Sequence, residues 1–274
     1  MSPFAEQTGT AGPWIVFVHG LACDHTDWHQ QVDQLADTHR CLAIDLPGHG
    51  RSADVASSLE MPELADQALG VLQDRGVDRA ILVGHSMGTR VVAEMALREP
   101  ALAAGLVFVD GSQLGHGDPA EARRTIGNII DQLGYEHVMQ VNFAGMFNDP
   151  AHPDCARIVA RASAMPEKLG RKLWAAVVSY DAGELEPRYA EIVQPMTILQ
   201  SSTVEVGGRR RSLTPDESDT PYLTTMRRLV PHAEVMLAPG VGHFIQLEEP
   251  QLVVDAILDT SRRTPAGSAA EGSD

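Results

Sequence analysis

The chain has 274 residues and carries 21 Lys and Arg against 37 Asp and Glu, a formal charge of −16. That balance excludes an electrostatic nucleic-acid binder, which needs a basic face to displace counterions, and a protein that clings to anionic membranes. Hydrophobic residues make up 43% and charged residues 21%, the range of a folded domain, and no run of 18 apolar residues is present to span a bilayer.

Residues 1–13 and 262–274 are rich in small residues and are expected to be loose. The first thirteen have neither a charged n-region nor an apolar h-region, so they do not read as a secretory signal. Short apolar runs follow at 14–18, 41–44, 80–83, 106–109, 196–199 and 234–237, each bounded by Gly, Pro or Asp. They are apolar throughout rather than alternating, the signature of strands buried on both faces. Helical patterns separate them at 27–37, 60–75, 87–99, 221–230 and 248–261. Thr220-Pro221 is a helix start, with Thr as N-cap and Pro at the first helical position. Alternation of strand and helix predicts an α/β fold with a mostly parallel central sheet and helices on both faces.

Residues 113–190 break this rhythm. They are helix-compatible, lack strand runs and are too many for a connection, which predicts an inserted helical cap over the C-terminal ends of the strands. The chain then divides into an α/β core at 1–112 and 191–262, a cap at 113–190 and a flexible tail at 263–274. The polar stretch 201–219 is expected to be mobile, and its cluster Arg209-Arg210-Arg211 is too short to make a nucleic-acid site. Cys23, Cys41 and Cys155 have no CxxC spacing, so they predict neither a zinc site nor a disulfide framework and fit a reducing cytoplasm.

The strongest chemical signal is Gly84-His85-Ser86-Met87-Gly88, between a buried strand and a helix. In that context G-x-S-x-G is a nucleophile elbow, a strand-to-helix turn tight enough to project the Ser hydroxyl. Gly84 and Gly88 remove the Cβ atoms that would collide there. His19-Gly20-Leu21 ends the first clear strand. A sharp turn there aims the Leu21 amide at the nucleophile, so that Leu21 and Met87 make a two-donor oxyanion hole, with His19 structural. His243 lies in the Gly-rich loop 239–243 after the last strand, where a general base can reach the Ser oxygen. His39, His116, His137, His152 and His232 read as solvated or local packing residues.

These pieces, with Asp45-Leu-Pro-Gly-His-Gly-Arg-Ser52 and Glu248-Glu249-Pro250, resemble the α/β-hydrolase family, of the small capped esterase, carbon–carbon hydrolase or cofactor-free haloperoxidase type. The resemblance covers residues 14–260 and implies a Ser86–His243–acid triad working without metal or cofactor. The Ser at the elbow sets the chain apart from the dehalogenases and epoxide hydrolases of this fold, which use Asp there. In the family the loop 45–52 is structural. The usual acid slot, after the strand at 196–199, holds Ser201-Ser-Thr-Val-Glu205 and no Asp. Asp110, at the end of the strand after the elbow, is the preferred acid, and Glu205 is the alternative, with a dyad or another residue after them. Family members also have two antiparallel strands before the His-Gly strand. Thirteen residues leave little room for them, which predicts a shortened sheet edge and makes a homodimer a partner to test for.

The resemblance implies hydrolysis of a carboxylic ester or lactone of a small to medium apolar molecule. Carbon–carbon bond hydrolysis or perhydrolysis on the same triad, and a small-molecule receptor with a vestigial triad, are the alternatives. An Arg to bind the carboxylate of a dienol compound would favour carbon–carbon hydrolysis, and the motifs that would touch the substrate contain none. Asp24, His25 and Trp28 are candidates for the acyl side of the pocket. Met139, Phe143, Met146, Phe147 and Trp174 are candidates for an apolar wall, or for the cap's own small core.

Overall fold

The computed structural model describes residues 2–205 and 209–264. In chain order the first half contains β1 (Ala5–Thr8), β2 (Trp14–Val18), α1 (His29–Leu35), β3 (Arg40–Ile44), α2 (Met61–Asp74), β4 (Ala80–His85), α3 (Met87–Arg98) and β5 (Ala103–Val109). Five helices follow: α4 (Pro119–Leu133), α5 (Tyr135–Ala144), α6 (Pro153–Ala164), α7 (Glu167–Gly183) and α8 (Leu185–Tyr189). The chain then returns through β6 (Met196–Gln200), β7 (Ser202–Val204), β8 (Arg210–Ser212), α9 (Pro221–Leu229), β9 (Glu234–Leu237), α10 (Ile245–Glu248) and α11 (Pro250–Arg263).

The main sheet has the order β1-β3-β2-β4-β5-β6-β9. All neighbours are parallel except β1 and β3. Its strands read as continuous apolar runs because each feeds two cores, successive side chains pointing to opposite faces. Val16, Val18, Leu42, Ile44 and Leu82 pack on the face covered by α2 and α3. Ile15, Phe17, Cys41, Ala43, Ile81 and Val83 pack on the other, against α1 and α11. Thr220 caps α9 as expected: its hydroxyl accepts the Leu223 amide at 3.0 Å, with Pro221 at the first helical position.

Three expectations need correction. Residues 5–8 are not loose: they form β1, an antiparallel edge strand on β3, with Ala5 opposite Ile44. One leading strand is therefore present, and the edge is blunted by its shortness. At the other end α11 continues to Arg263, and 265–274 lie outside the described residues. The stretch 201–219 is not an irregular loop either. It contains the β7–β8 hairpin, with Ser202 opposite Ser212 and Val204 opposite Arg210. Residues 206–208 at its tip are outside the described set.

The strand order reverses between β2 and β4. Open parallel sheets bind ligands in the crevice beyond the strand ends at such a point. The five helices inserted between β5 and β6 reach the same end of the sheet, and side chains from α4, α5 and α7 line a cavity there.

Candidate active site

Ser86 stands between β4 and α3 with φ 52° and ψ −114°, a conformation L-residues adopt only when the surroundings enforce it. The enforcement is visible at two glycines. A Cβ on Gly84 would come 2.5 Å from the Gly88 carbonyl oxygen, and one on Gly88 would strike the backbone of Val18. The turn closes because Gly84 has no side chain, and it seats against β2 because Gly88 has none. Gly88→Ala is expected to lower the stability by about 1–3 kcal/mol, read as a lower urea midpoint at unchanged slope.

The Ser86 side chain opens into a cavity of about 650 Å³ that Leu21, Met87 and His243 also line. Met87 is the first residue of α3, so its amide has no acceptor within the helix. Leu21 sits in a turn closed by the Cys23 amide on the Gly20 carbonyl at 3.2 Å. His19 holds that turn: its Nδ1 donates to the Gly20 carbonyl at 2.7 Å while its Nε2 accepts the Leu46 amide at 3.0 Å. Burial brings its pKa down, consistent with this neutral, structural imidazole.

The sequence left two carboxylates in contention, and the structure brings one of them to His243. His243 Nδ1 donates to Asp110 Oδ2 at 2.6 Å. Glu205 is instead half exposed and paired with Arg211 at 2.8 Å. Asp110 is fully buried at φ 45°, and its Oδ1 accepts the amides of Ser201 at 2.8 Å and Ser202 at 2.9 Å. The slot after β6 thus supplies donors to the carboxylate that follows the neighbouring strand β5. Burial alone would push the Asp110 carboxyl up. The hydrogen bond and charge of His243, the Arg210 guanidinium and the Ser202 hydroxyl outweigh it and bring the carboxyl down to about 2. Burial and Arg210 bring the His243 imidazole down to about 4, against the opposing pull of Asp110.

The His243 loop is pinned from three directions. The His243 amide donates to the Met146 carbonyl at 2.6 Å. Glu248 accepts the amides of Gly242 at 3.2 Å and Asn148 at 3.1 Å. The ring of His85 lies 4.6 Å from that of His243, and its Nε2 donates to the His243 carbonyl at 3.0 Å. The loop 45–52 is tied locally, Asp45 accepting the amides of His25 at 2.7 Å and Arg51 at 2.8 Å.

Sequence reasoning missed the buried charges that join the inserted helices to the sheet. Arg90 donates Nε and Nη2 to Asp181 of α7 at 2.6 and 2.7 Å, Nη1 to the Ser86 carbonyl at 3.0 Å and Nη2 to the Ser112 carbonyl at 2.6 Å. Glu94 accepts Tyr180 at 2.8 Å and both arms of Arg188 at 2.8 and 2.9 Å. Arg161 of α6 donates to the Ala22 carbonyl at 3.0 Å, beside Leu21, and pairs with Asp24 at 2.6 Å and with Asp27. A signal was present in α3: charged residues at 90 and 94 fall on a helix buried throughout 87–96, where a charge needs a partner.

The pocket candidates divide. Phe143, Met146 and Trp174 line the cavity, as does His116. Met139 is fully buried beside it, and Phe147 stacks on Phe244 at 4.9 Å. Asp24, His25 and Trp28 do not line it: Asp24 is taken by Arg161, His25 by Asp45 at 2.8 Å, and Trp28 packs on Phe17 at 5.1 Å. Among the described residues no helix is long and apolar enough to cross a membrane.

Ser86, on its strained turn between β4 and α3, and the Asp110-bound imidazole of His243 line one cavity in a doubly wound α/β fold. The model of the Alpha/beta hydrolase family matches residues 15–256, and the chain belongs to that family. It is 26% identical to the 2-(acetamidomethylene)succinate hydrolase of Mesorhizobium japonicum over 91% of this chain and 88% of that one. It is 26% identical to the pimeloyl-[acyl-carrier protein] methyl ester esterase of Nitrosomonas europaea over 91% and 95%. The fold matches that of a thermophilic esterase from Thermogutta terrifontis at TM-score 0.74 and 23% identity, covering 94% of this chain and 92% of that one.

Proposed function

We propose that this protein is a serine hydrolase that cleaves a carboxylic ester or lactone through an acyl-enzyme on Ser86. The observation that carries the reading is one cavity shared by Ser86 on its strained elbow and by His243, whose Nδ1 is bound to a buried carboxylate. With Nδ1–H held by Asp110, the neutral ring presents Nε2 as the base. Ser86 Oγ attacks the carbonyl carbon, its proton passes to Nε2, and the amides of Leu21 and Met87 hold the oxyanion. His243 then protonates the leaving oxygen, and water, deprotonated by the same nitrogen, releases the acid.

The helical insert 113–190 acts in this reading as a cap. Ile126, Val138, Phe143, Met146 and Trp174 give the cavity an apolar wall fitted to a small or medium apolar group. Two arginines, Arg90 and Arg210, stand in the wall, where the motifs had shown none. Each is matched by an internal carboxylate, Asp181 at 2.6 Å and Asp110 at 3.2 Å. That pairing favours an ester over the carboxylate-bearing substrate of a carbon–carbon hydrolase.

The test is turnover of p-nitrophenyl esters of rising acyl length, wild type beside Ser86→Ala. Repeated turnover with a chain-length optimum, lost in Ser86→Ala to the on the order of 10³–10⁴-fold over water that such sites retain without their nucleophile, is the expected result. Failure of wild type to turn over any ester would remove the esterase reading in favour of a carbon–carbon hydrolase or a receptor.

A further inference from the structure

Three consecutive arginines meet at the β7–β8 hairpin, and they do different things. Arg211 lies on one face of its strand, partly exposed and paired with Glu205 at 2.8 Å and Glu217 at 2.7 Å. Arg209 is exposed. Arg210 points to the opposite face, as strand alternation requires, and only 6% of its side chain is exposed. Its Nη1 donates to Asp110 Oδ2 at 3.2 Å and to Ser202 Oγ at 2.8 Å, and its Nη2 to Ser112 Oγ at 3.3 Å.

Asp110 Oδ2 is the oxygen that also accepts His243 Nδ1 at 2.6 Å. One carboxylate oxygen therefore serves an imidazole and a guanidinium together. The carboxylate does not need the second partner for its own burial. Two amides, two hydroxyls and His243 already satisfy it. A permanent positive charge in this place opposes a second one on the ring beside it.

Several other groups face His243. Asp110 comes from the end of β5, His85 from β4, Arg90 from α3, and Glu248 of α10 binds the amide of Gly242. From the insert the contact is the Met146 carbonyl. His85 is kept neutral by burial. The charge of Arg90 is closed by two bonds to Asp181. Arg210 is the cation that touches the carboxylate holding the imidazole.

We propose that Arg210 is a positioning residue of the triad: it shares Asp110 with His243 and keeps the imidazole neutral, and so competent as a base, in acidic solution. The proposal rests on the Ser86–His243–Asp110 reading above and adds to it the pH range in which that triad works.

The test is the rate at which an alkyl fluorophosphonate labels Ser86 between pH 8 and pH 5, with far-UV circular dichroism recorded at each pH. Labelling forms a P–O bond at Oγ, expels fluoride and delivers the Ser proton to His243, so its rate follows the neutral imidazole. With His243 at about 4, the wild-type rate is expected to be flat over this range. Arg210→Met and Arg210→Gln remove the charge, and Gln keeps hydrogen-bonding capacity if Met does not fold. Loss of a cation at this range raises the imidazole by about 1.5 pH units, so labelling is expected to fall about fourfold from pH 8 to pH 5. Arg210→Lys, which keeps the charge, is expected to restore the flat profile. Charge-free variants that stay flat, even at a uniformly lower rate, overturn the proposal, because a purely structural role lowers the rate at every pH alike. A wild type that is not labelled at any pH overturns the triad reading itself, and this proposal with it.

Discussion

Asp110→Asn is expected to lower kcat for ester hydrolysis by on the order of 10⁴, with KM nearly unchanged. The amide oxygen of the new Asn would be held by the Ser201 and Ser202 amides that now bind Oδ1. Its NH₂ group would then face His243 Nδ1, where Oδ2 now accepts at 2.6 Å. Two donors cannot share that contact, so the ring must place its proton on Nε2, and a protonated Nε2 cannot take the Ser86 proton. The substitution also leaves Arg210 buried without its counter-charge. Glu205→Gln is the control. Its carboxylate is half exposed and meets Arg211, an ion pair worth about 0–1 kcal/mol, and kcat should stay within about twofold of wild type. The reverse ranking of the two variants in steady-state kinetics would move the acid from Asp110 to Glu205.

The second large effect is on stability. Asp181→Ala is expected to destabilise the protein by about 3–5 kcal/mol, the range for removing one partner of a buried ion pair. Arg90 is 1% exposed and would be left charged, and the Leu114 amide would lose the acceptor it now reaches at 2.7 Å. Urea unfolding followed by circular dichroism measures the loss. The double variant Arg90→Met with Asp181→Leu should recover much of it, because the stranded charge is gone and both replacements are apolar. Equal losses in single and double variants would mean that packing, not the unpaired guanidinium, carries the effect. Arg90 also holds the Ser86 and Ser112 carbonyls, so the double variant should fold yet hydrolyse esters more slowly.

Much of the fold was legible because its signals are local. A run such as Trp14–Val18 shows both its strand character and its double burial in five consecutive residues. The elbow's pattern is equally local, and Gly84 meets the Gly88 carbonyl within one turn, although Gly88 is needed for its approach to Val18 of β2. β1 was not legible: Ala5–Thr8 has one buried residue of four, and only pairing with β3 makes it a strand. The hairpin at 202–212 was hidden for another reason: its two strands pair with each other, but they are polar, and Arg210 is turned inward by a partner outside the stretch, Asp110.

The sequence by itself determined the family, the strand–helix alternation, the Ser at the elbow and the His loop, because each is written as a pattern of a few adjacent residues. The tertiary structure alone decided which carboxylate meets His243, a choice between Asp110, 133 residues away in the chain, and Glu205. It also decided that Arg210 turns inward while Arg211 turns out, and that Arg90 is closed by Asp181 across 91 residues. A buried charge is stable only beside its partner, and which partner lies beside it depends on how strands and inserted helices come together in space, not on their spacing along the chain.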